Sequence, residues 1–382
     1  MLVTLEVGRV AHGGHFIAHS HGMTIFVRGA ITGEQVKARI TQVKKRIAMA
    51  ETVEVIQKST HRVEPPCHYF KEGACGGCDF QHIDLEYQRE LKAQVVIDSF
   101  RRIAGVDIQV KCLPASEQED GFHWRTRMDF TLSPSGKVAL HPYRSDALVE
   151  IVNCKIAETA FVTEEINTHV AKSRLPAFER VRVATDASGE LVLSGQVEMQ
   201  VLGKEFPVSL ASFWQPHRKA AQVLVARLMD LLEVREGERI LDLYGGVGLF
   251  TAFIRDRVGD TGRVSLIESD RSSIHDARSK FKGDRRVQVI EARVEDAIGK
   301  IEGCDRIVVD PPRSGLGSTV IRGVVRLAPQ QIVYISCDPA TLARDSKELI
   351  EAGYRLESIE AFDLFPMTEH IESVANFIRP SS

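Results

Sequence analysis

The chain has 382 residues, 43% of them apolar and 26% charged, with a formal net charge of −3. Those proportions describe a globular protein with room for two or three domains, and they leave out disordered, fibrous and disulfide-dense scaffolds. No apolar run reaches the ~20 residues of a membrane span, and Glu6 and Arg9 interrupt the stretch an export signal would occupy. The expectation is therefore a cytoplasmic protein with its seven cysteines reduced, as ligands, nucleophiles or core residues.

Residues 1–60 carry 8 Lys+Arg and 4 Asp+Glu, a local charge of +4. Leu2–Val10, Met23–Val27, Gln35–Val43 and Ala50–Gln57 read as short strands, separated by Gly13-Gly14, Gly22, Gly29 and Gly33. This pattern predicts a small OB-type β-barrel, a fold often used on nucleic acid. Lys44-Lys45-Arg46 suits either phosphate contact or a solvated strand edge. His12, His15, His19 and His21 fall among the glycines and read as solvent-facing.

Arg62–Pro66 is a plausible boundary, and a cysteine- and glycine-rich segment follows over 67–82. Apolar spacing then predicts a helix over 85–104. Residues 122–212 read as strands and turns, interrupted by one helix around Ala157–Lys172. From about Phe213 the pattern becomes strand–helix alternation, with strands expected at 239–244, 263–268, 287–290, 306–310, 331–336 and 354–361. That alternation is the mark of a doubly wound parallel sheet.

Three segments of this last part carry chemistry. Strand 239–244 runs into Gly245-Gly-Val-Gly248, where glycines allow a tight bend and close approach to a ligand. The next strand ends at Glu268, whose carboxylate can take both hydroxyls of a ribose. The Gly-Gly-x-Gly loop lacks the spaced glycines of the dinucleotide fingerprint, which favours S-adenosylmethionine over a nicotinamide cofactor. Asp310-Pro-Pro-Arg313 puts an acid at a strand end, where open α/β sheets bind ligands. Cys337 lies between a strand and a helix capped by Asp338 with Pro339 at its first position. Unpaired N–H groups there would favour the thiolate, making Cys337 a candidate nucleophile.

Taken with Pro65-Pro-Cys67 through Gln81, Phe213-Trp-Gln215 and His370-Ile-Glu372-Ser-Val, these segments resemble the RNA (uracil-5-)-methyltransferase family. The likeness is to its iron–sulfur members with an N-terminal TRAM domain, the 23S rRNA uridine C5-methyltransferase type, and it covers essentially the whole chain. It implies three parts: a TRAM/OB-type barrel over 1–60, a central β-rich iron–sulfur domain over 61–212, and a Rossmann-like S-adenosylmethionine methyltransferase domain over 213–382. It further implies Cys337 as the nucleophile on uracil C6 and Glu372 as the base that removes the C5 proton. Gln215, Tyr244, Glu268 and Asp310 match positions that hold S-adenosylmethionine or line its site. Cys67, Cys75, Cys78 and Cys154 match the ligands of a [4Fe-4S] cluster, although spacing alone would also suit zinc. Cys112 and Cys304 match nothing and read as core thiols.

On this reading the partner is RNA, ribosomal rather than transfer RNA, with no membrane and no obligate protein partner. Trp124, Arg125 and Arg127 are a second candidate RNA surface. The alternatives are tRNA uridine methylation, a base-amino methyltransferase that uses Asp310-Pro-Pro without Cys337, and a non-catalytic zinc protein that binds RNA.

Overall fold

The computed structural model describes residues 1–71 and 73–380. The N-terminal strands are β1 (Leu2–Glu6), β2 (Val10–Ala11), β3 (His15–Ser20), β4 (Met23–Arg28), β5 (Gln35–Lys44) and β6 (Ile47–Gln57), in the sheet order β1-β5-β6-β4-β3-β2. Among the described residues no ladder joins the two edges, so the closed barrel expected from the sequence is not found. The edge strands β1 and β2 are consecutive in the chain. The bend at Val7–Arg9 links them covalently, and Gly8 donates from its N–H to the Ile17 carbonyl at 2.7 Å. Strand β3 was not expected, because its histidines disguise the inward alternation of Phe16 and Ala18. His19 and His21 are exposed as read, but His15 is buried between Phe26 and Tyr143.

Helix α1 (Leu85–Ser99) runs on through a π turn to Ala104 and ends at Gly105, close to the expected span. The short strand β7 (Cys112–Pro114) follows. Strands β8 (Arg127–Leu132), β9 (Val138–Leu140), β10 (Val149–Glu150), β11 (Arg180–Thr185) and β12 (Leu191–Val192) form an antiparallel sheet, covered by α2 (Thr163–Ser173). The helix starts several residues later than the apolar pattern predicts, because Ala157–Val162 forms turns closed by Ala157 N–H to the Cys154 carbonyl and Phe161 N–H to the Glu158 carbonyl. A hairpin of β13 (Gln196–Val201) and β14 (Lys204–Ser209) completes this region. Trp124 and Arg127 are buried here, and the Arg127 guanidinium donates to the Ser212 carbonyl. They are packing groups rather than the RNA surface expected.

The C-terminal sheet has eight strands: β15 (Arg239–Leu243), β16 (Arg263–Glu268), β17 (Val287–Glu291), β18 (Arg306–Val309), β19 (Gln331–Ser336), β20 (Arg355–Asp363), β21 (Glu372–Ile378) and β7. Their order is β17-β16-β15-β18-β19-β21-β20-β7. The first five run parallel, and β21 enters antiparallel between β19 and β20. Helices α3 (Ala220–Leu231), α4 (Thr251–Arg257), α5 (Arg271–Lys280), α6 (Val294–Ala297), α7 (Gly317–Leu327) and α8 (Pro339–Glu351) flank the sheet, and its central strands are apolar and fully buried. Burial on both faces explains why β18 and β19 read as near-continuous apolar runs. The fold is the Rossmann-like sheet expected. The order reverses at β15, which makes the end of that strand the topological switch point.

One buried ion pair fixes the segment leading into β21. Lys92, on α1 and 1% exposed, donates to Asp363 at 2.5 Å and to the Phe365 carbonyl at 3.0 Å. A buried lysine needs such partners, since an unpaired charge there would cost several kcal/mol. Among the described residues, no helix is long and apolar enough to cross a membrane.

Candidate active site

Strand β15 is followed by Tyr244, a non-glycine residue with φ +61°. Gly245 follows, and a Cβ there would fall 2.6 Å from Leu266 Cγ and 3.1 Å from Asp242 Cγ. A Cβ on Gly248 would fall 2.3 Å from the Phe281 ring. The loop is therefore glycine for close packing as well as for its turn. Glu268, at the end of the adjacent β16, closes on it: one oxygen accepts the Gly246 N–H at 3.0 Å, the other accepts from Ser269 and Asp270. Asp242 is fully buried. Its Oδ2 accepts the Thr251 N–H and hydroxyl at 3.1 and 2.6 Å, while Oδ1 has no partner. Burial pushes its carboxyl up to about 6. An unpaired acceptor beside a bare glycine loop and a strand-end carboxylate suits a nucleoside with an amino group. The residues fit S-adenosylmethionine, and Asp242, on the strand just before the glycine loop, joins them. Gln215 is buried on the segment between β14 and α3.

Asp310, Cys337 and Glu372 follow or begin β18, β19 and β21, three adjacent strands. They lie close enough that their charges act on one another. Burial pushes Asp310 up to about 7, with Asp242 adding to it, and pushes Glu372 well above the carboxylate range, with Asp310 adding to it. The Cys337 thiol is pushed up to about 12 by burial, then by Glu372 and Asp310, against a smaller pull from Arg313. The expected thiolate-stabilising field is not what dominates. Burial outweighs it, and two of the helix-terminal donors are already taken, because Asp338 Oδ1 accepts the Ala340 and Thr341 N–H groups at 3.0 and 2.8 Å. Helix α8 otherwise starts at Pro339 as read, and Tyr334 and Leu316 both donate to the buried Asp345, tying α8 to the loop after Asp310.

Residues from distant parts of the chain close the pocket. A cavity of about 40 Å³ is lined by Cys337, Asp338, Arg313, Glu369, His370 and His12. His12 is exposed, as its sequence context predicts, and its Nε2 also lies 3.3 Å from Asp338 Oδ2. The Asp79 and Phe80 N–H groups donate to the Met367 carbonyl at 2.9 and 3.0 Å, and Glu369 donates from its N–H to Asp79 at 3.3 Å.

Cys67, Cys75, Cys78 and Cys154 line a second cavity, about 380 Å³ in volume. Burial pushes Cys75, Cys78 and Cys154 up, and neighbouring cysteines add to each. Gly77 donates from its N–H to Cys75 Sγ at 3.4 Å. A Cβ on Gly76 would fall 2.3 Å from the Tyr143 nitrogen, which explains the glycine at that position. Among the described residues, no three His, Cys, Asp or Glu side chains converge on the position of one metal ion. The four cysteines share this cavity with Leu140, Tyr143 and Ile151 of the central sheet region. Cys112 and Cys304 are buried core thiols as expected.

The family model described as TRAM domain matches residues 2–53, and that described as tRNA (Uracil-5-)-methyltransferase matches 291–379. Residues 212–301 match the protein-L-isoaspartate(D-aspartate) O-methyltransferase model. An uncharacterized RNA methyltransferase of Streptomyces avermitilis is 36% identical across 97% of this chain and 96% of its own length. The chain belongs to the RNA (uracil-5-)-methyltransferase family with an N-terminal TRAM domain. A Thermotoga maritima RNA methyltransferase is 28% identical across 99% of both chains. The fold is shared with the Pyrococcus abyssi tRNA (uracil-54, C5)-methyltransferase solved with S-adenosyl-L-homocysteine, at TM-score 0.74 and 22% identity over 98% of this chain and 100% of that one. As a member of the family, this protein is an S-adenosylmethionine-dependent RNA methyltransferase.

Proposed function

We propose that the protein methylates uridine C5 in ribosomal RNA, in the cytoplasm, through a covalent bond between Cys337 and uracil C6. The observation that carries this reading is the meeting of Cys337 with two raised carboxyls, Asp310 and Glu372, on adjacent strand ends. Uracil C5 is too poor in electrons to attack a methyl group, and a sulfur added at C6 makes it a carbanion-like centre. S-adenosylmethionine supplies the electrophilic methyl, held by Glu268, Tyr244, Gln215 and the Gly245–Gly248 loop. Glu372 then takes the C5 proton, and the C6–S bond breaks to return Cys337. The thiol proton lost at the start comes back at the end, so one proton is released per methyl. A base buried beside a second acid has the raised pKa such a step needs near neutrality.

The target base must leave its stack, at a cost of a few kcal/mol, which phosphate contacts along the basic N-terminal sheet offset. Ribosomal RNA is favoured by the pairing of that sheet with the cysteine segment. The Pyrococcus abyssi protein is named for a tRNA uridine, which keeps tRNA as the second reading. Mapping of methylated uridines in ribosomal and transfer RNA, from cells with and without the protein, separates them. The expected result is one or more 5-methyluridines missing from ribosomal RNA alone, and a loss confined to tRNA replaces the substrate assigned here.

The division into 1–60, 61–212 and 213–382 belongs to the same reading. So does a [4Fe-4S] cluster on Cys67, Cys75, Cys78 and Cys154. The shared cavity and the sulfur-directed N–H of Gly77 support four bridged irons over one ion. Its role would be structural, clamping Cys78–Phe80 where they meet Met367 and Glu369. Protein purified without oxygen is expected to hold roughly four iron and four sulfide per chain, and Cys75→Ser to lose them. Stoichiometric zinc in place of iron would remove the cluster.

A further inference from the structure

We propose that His12 is a positioning residue of the methyl-transfer site, holding the Asp338 carboxylate from the N-terminal sheet so that Cys337 keeps a reactive thiol. This rests on the reading of Cys337 as nucleophile. The turn between β2 and β3 carries His12 and is docked rather than loose. Gly14 in that turn has φ +71°, and a Cβ there would fall 2.9 Å from Glu369 Cβ and 3.4 Å from Asp79 Cβ. Asp79 is held in turn by Arg28 of β4, at 3.2 Å. The turn therefore delivers His12 to the rim of the cavity that contains Cys337.

Asp338 divides its two oxygens. Oδ1 caps α8, and Oδ2 faces His12 Nε2 at 3.3 Å. Burial opposes the Asp338 charge, but hydrogen bonds from His12 and Thr341 outweigh it and hold the carboxyl down at about 2. The bond to Asp338 raises the His12 pKa against the effect of burial. The other charges facing His12 are Glu369, which pairs with His370 at 3.3 Å, and Arg313. The Asp338 charge disfavours a thiolate on the adjacent Cys337. A protonated imidazole on Oδ2 offsets it. The pair is partly exposed, so its contribution to stability is small, and the effect is on the geometry and charge around the thiol.

The test reads the thiol without RNA. The rate of Cys337 alkylation by iodoacetamide, followed by mass spectrometry of the peptide that contains it, is compared in the full chain, His12→Ala, Asp338→Asn and the double variant. His12→Ala is expected to slow alkylation roughly threefold or more. Asp338→Asn keeps an N-cap without the charge, and the double variant is expected to match it within about twofold, as coupled residues do. With RNA, His12→Ala is expected to lower kcat while leaving RNA Kd within about twofold. An unchanged alkylation rate in His12→Ala overturns the proposal, and so does an equal slowing on the Asp338→Asn background. Failure of the wild-type chain to form an adduct with 5-fluorouridine RNA overturns the uridine reading instead, and a His12 effect on alkylation would then still support the positioning role.

Discussion

Cys337→Ser is expected to lower uridine methylation by at least about 10⁴-fold, the order of loss when a nucleophile is removed from a unit that acts together. A serine hydroxyl in the same place is a poor nucleophile: burial and the flanking Asp310 and Glu372 already push the far more acidic cysteine thiol up to about 12. Folding should be unaffected, since Cys337 is only partly buried and the α8 cap belongs to Asp338. Binding of S-adenosylmethionine should stay within about twofold, because the Gly245–Gly248 loop and Glu268 lie on other strands. The measurement is methyl transfer to RNA from labelled cofactor, together with trapping on 5-fluorouridine RNA, in which fluorine at C5 blocks elimination. Wild-type protein should give a gel-stable adduct and Cys337→Ser none. Normal turnover in the serine variant would favour direct attack by a base amino group on the methyl, with Asp310-Pro-Pro as the polar clamp.

Glu372→Gln is expected to stop the reaction at its other end. The variant keeps the shape of the side chain and loses the acceptor for the C5 proton, so the adduct forms but is not released. Turnover should fall by about 10²–10⁴-fold, the usual contribution of a general base, while ordinary uridine RNA now yields a trapped complex. Recovery of free RNA at the wild-type rate would assign the proton to another group.

The pH dependence follows from the same carboxyls. Asp310 and Glu372 titrate as a pair, with apparent values that belong to both. Burial and each other's charge raise both carboxyls, so Glu372 loses its proton only well above the ordinary carboxylate range, and the elimination step should accelerate as pH climbs through that raised range. In Glu372→Gln that rise should flatten. Stability runs the opposite way. An unfolded glutamate titrates near pH 4.3, below its folded value, so the buried protonated form favours folding at low pH. That contribution is lost as pH climbs through the folded value. Glu372→Gln should therefore melt higher than wild type above neutrality and no higher at pH 5, as thermal denaturation at the two pH values would reveal.

Much of the catalytic region was legible because its signals are local. Asp338 and Pro339 mark a helix start within two residues, Gly245–Gly248 marks a turn, and the Ile/Val-rich runs of β18 and β19 mark strands covered on both faces. Cys337 was singled out by its place between a strand and a capped helix, whereas Glu372 was named from a family pattern, and neither composition nor periodicity would have found it. Strand β3 and the burial of His15 escaped because histidine carries no fixed preference for solvent or core. Trp124 and Arg127 were misread for a related reason: stacking on RNA and packing inside a protein call for the same residue types.

What the chain determined by itself is the set of elements and the order in which they alternate, since caps, turns and periodicity act over a few neighbouring residues. The tertiary structure alone decided the environment of the chemistry. It left the N-terminal sheet without ladder closure, set β7 on the far edge of the C-terminal sheet, and brought His12 to Asp338 across almost the full length of the chain. It also turned a thiol expected to ionise readily into one held protonated by burial and two carboxyls. Burial and charge depend on which distant segments pack together, and no window of neighbouring residues contains that information.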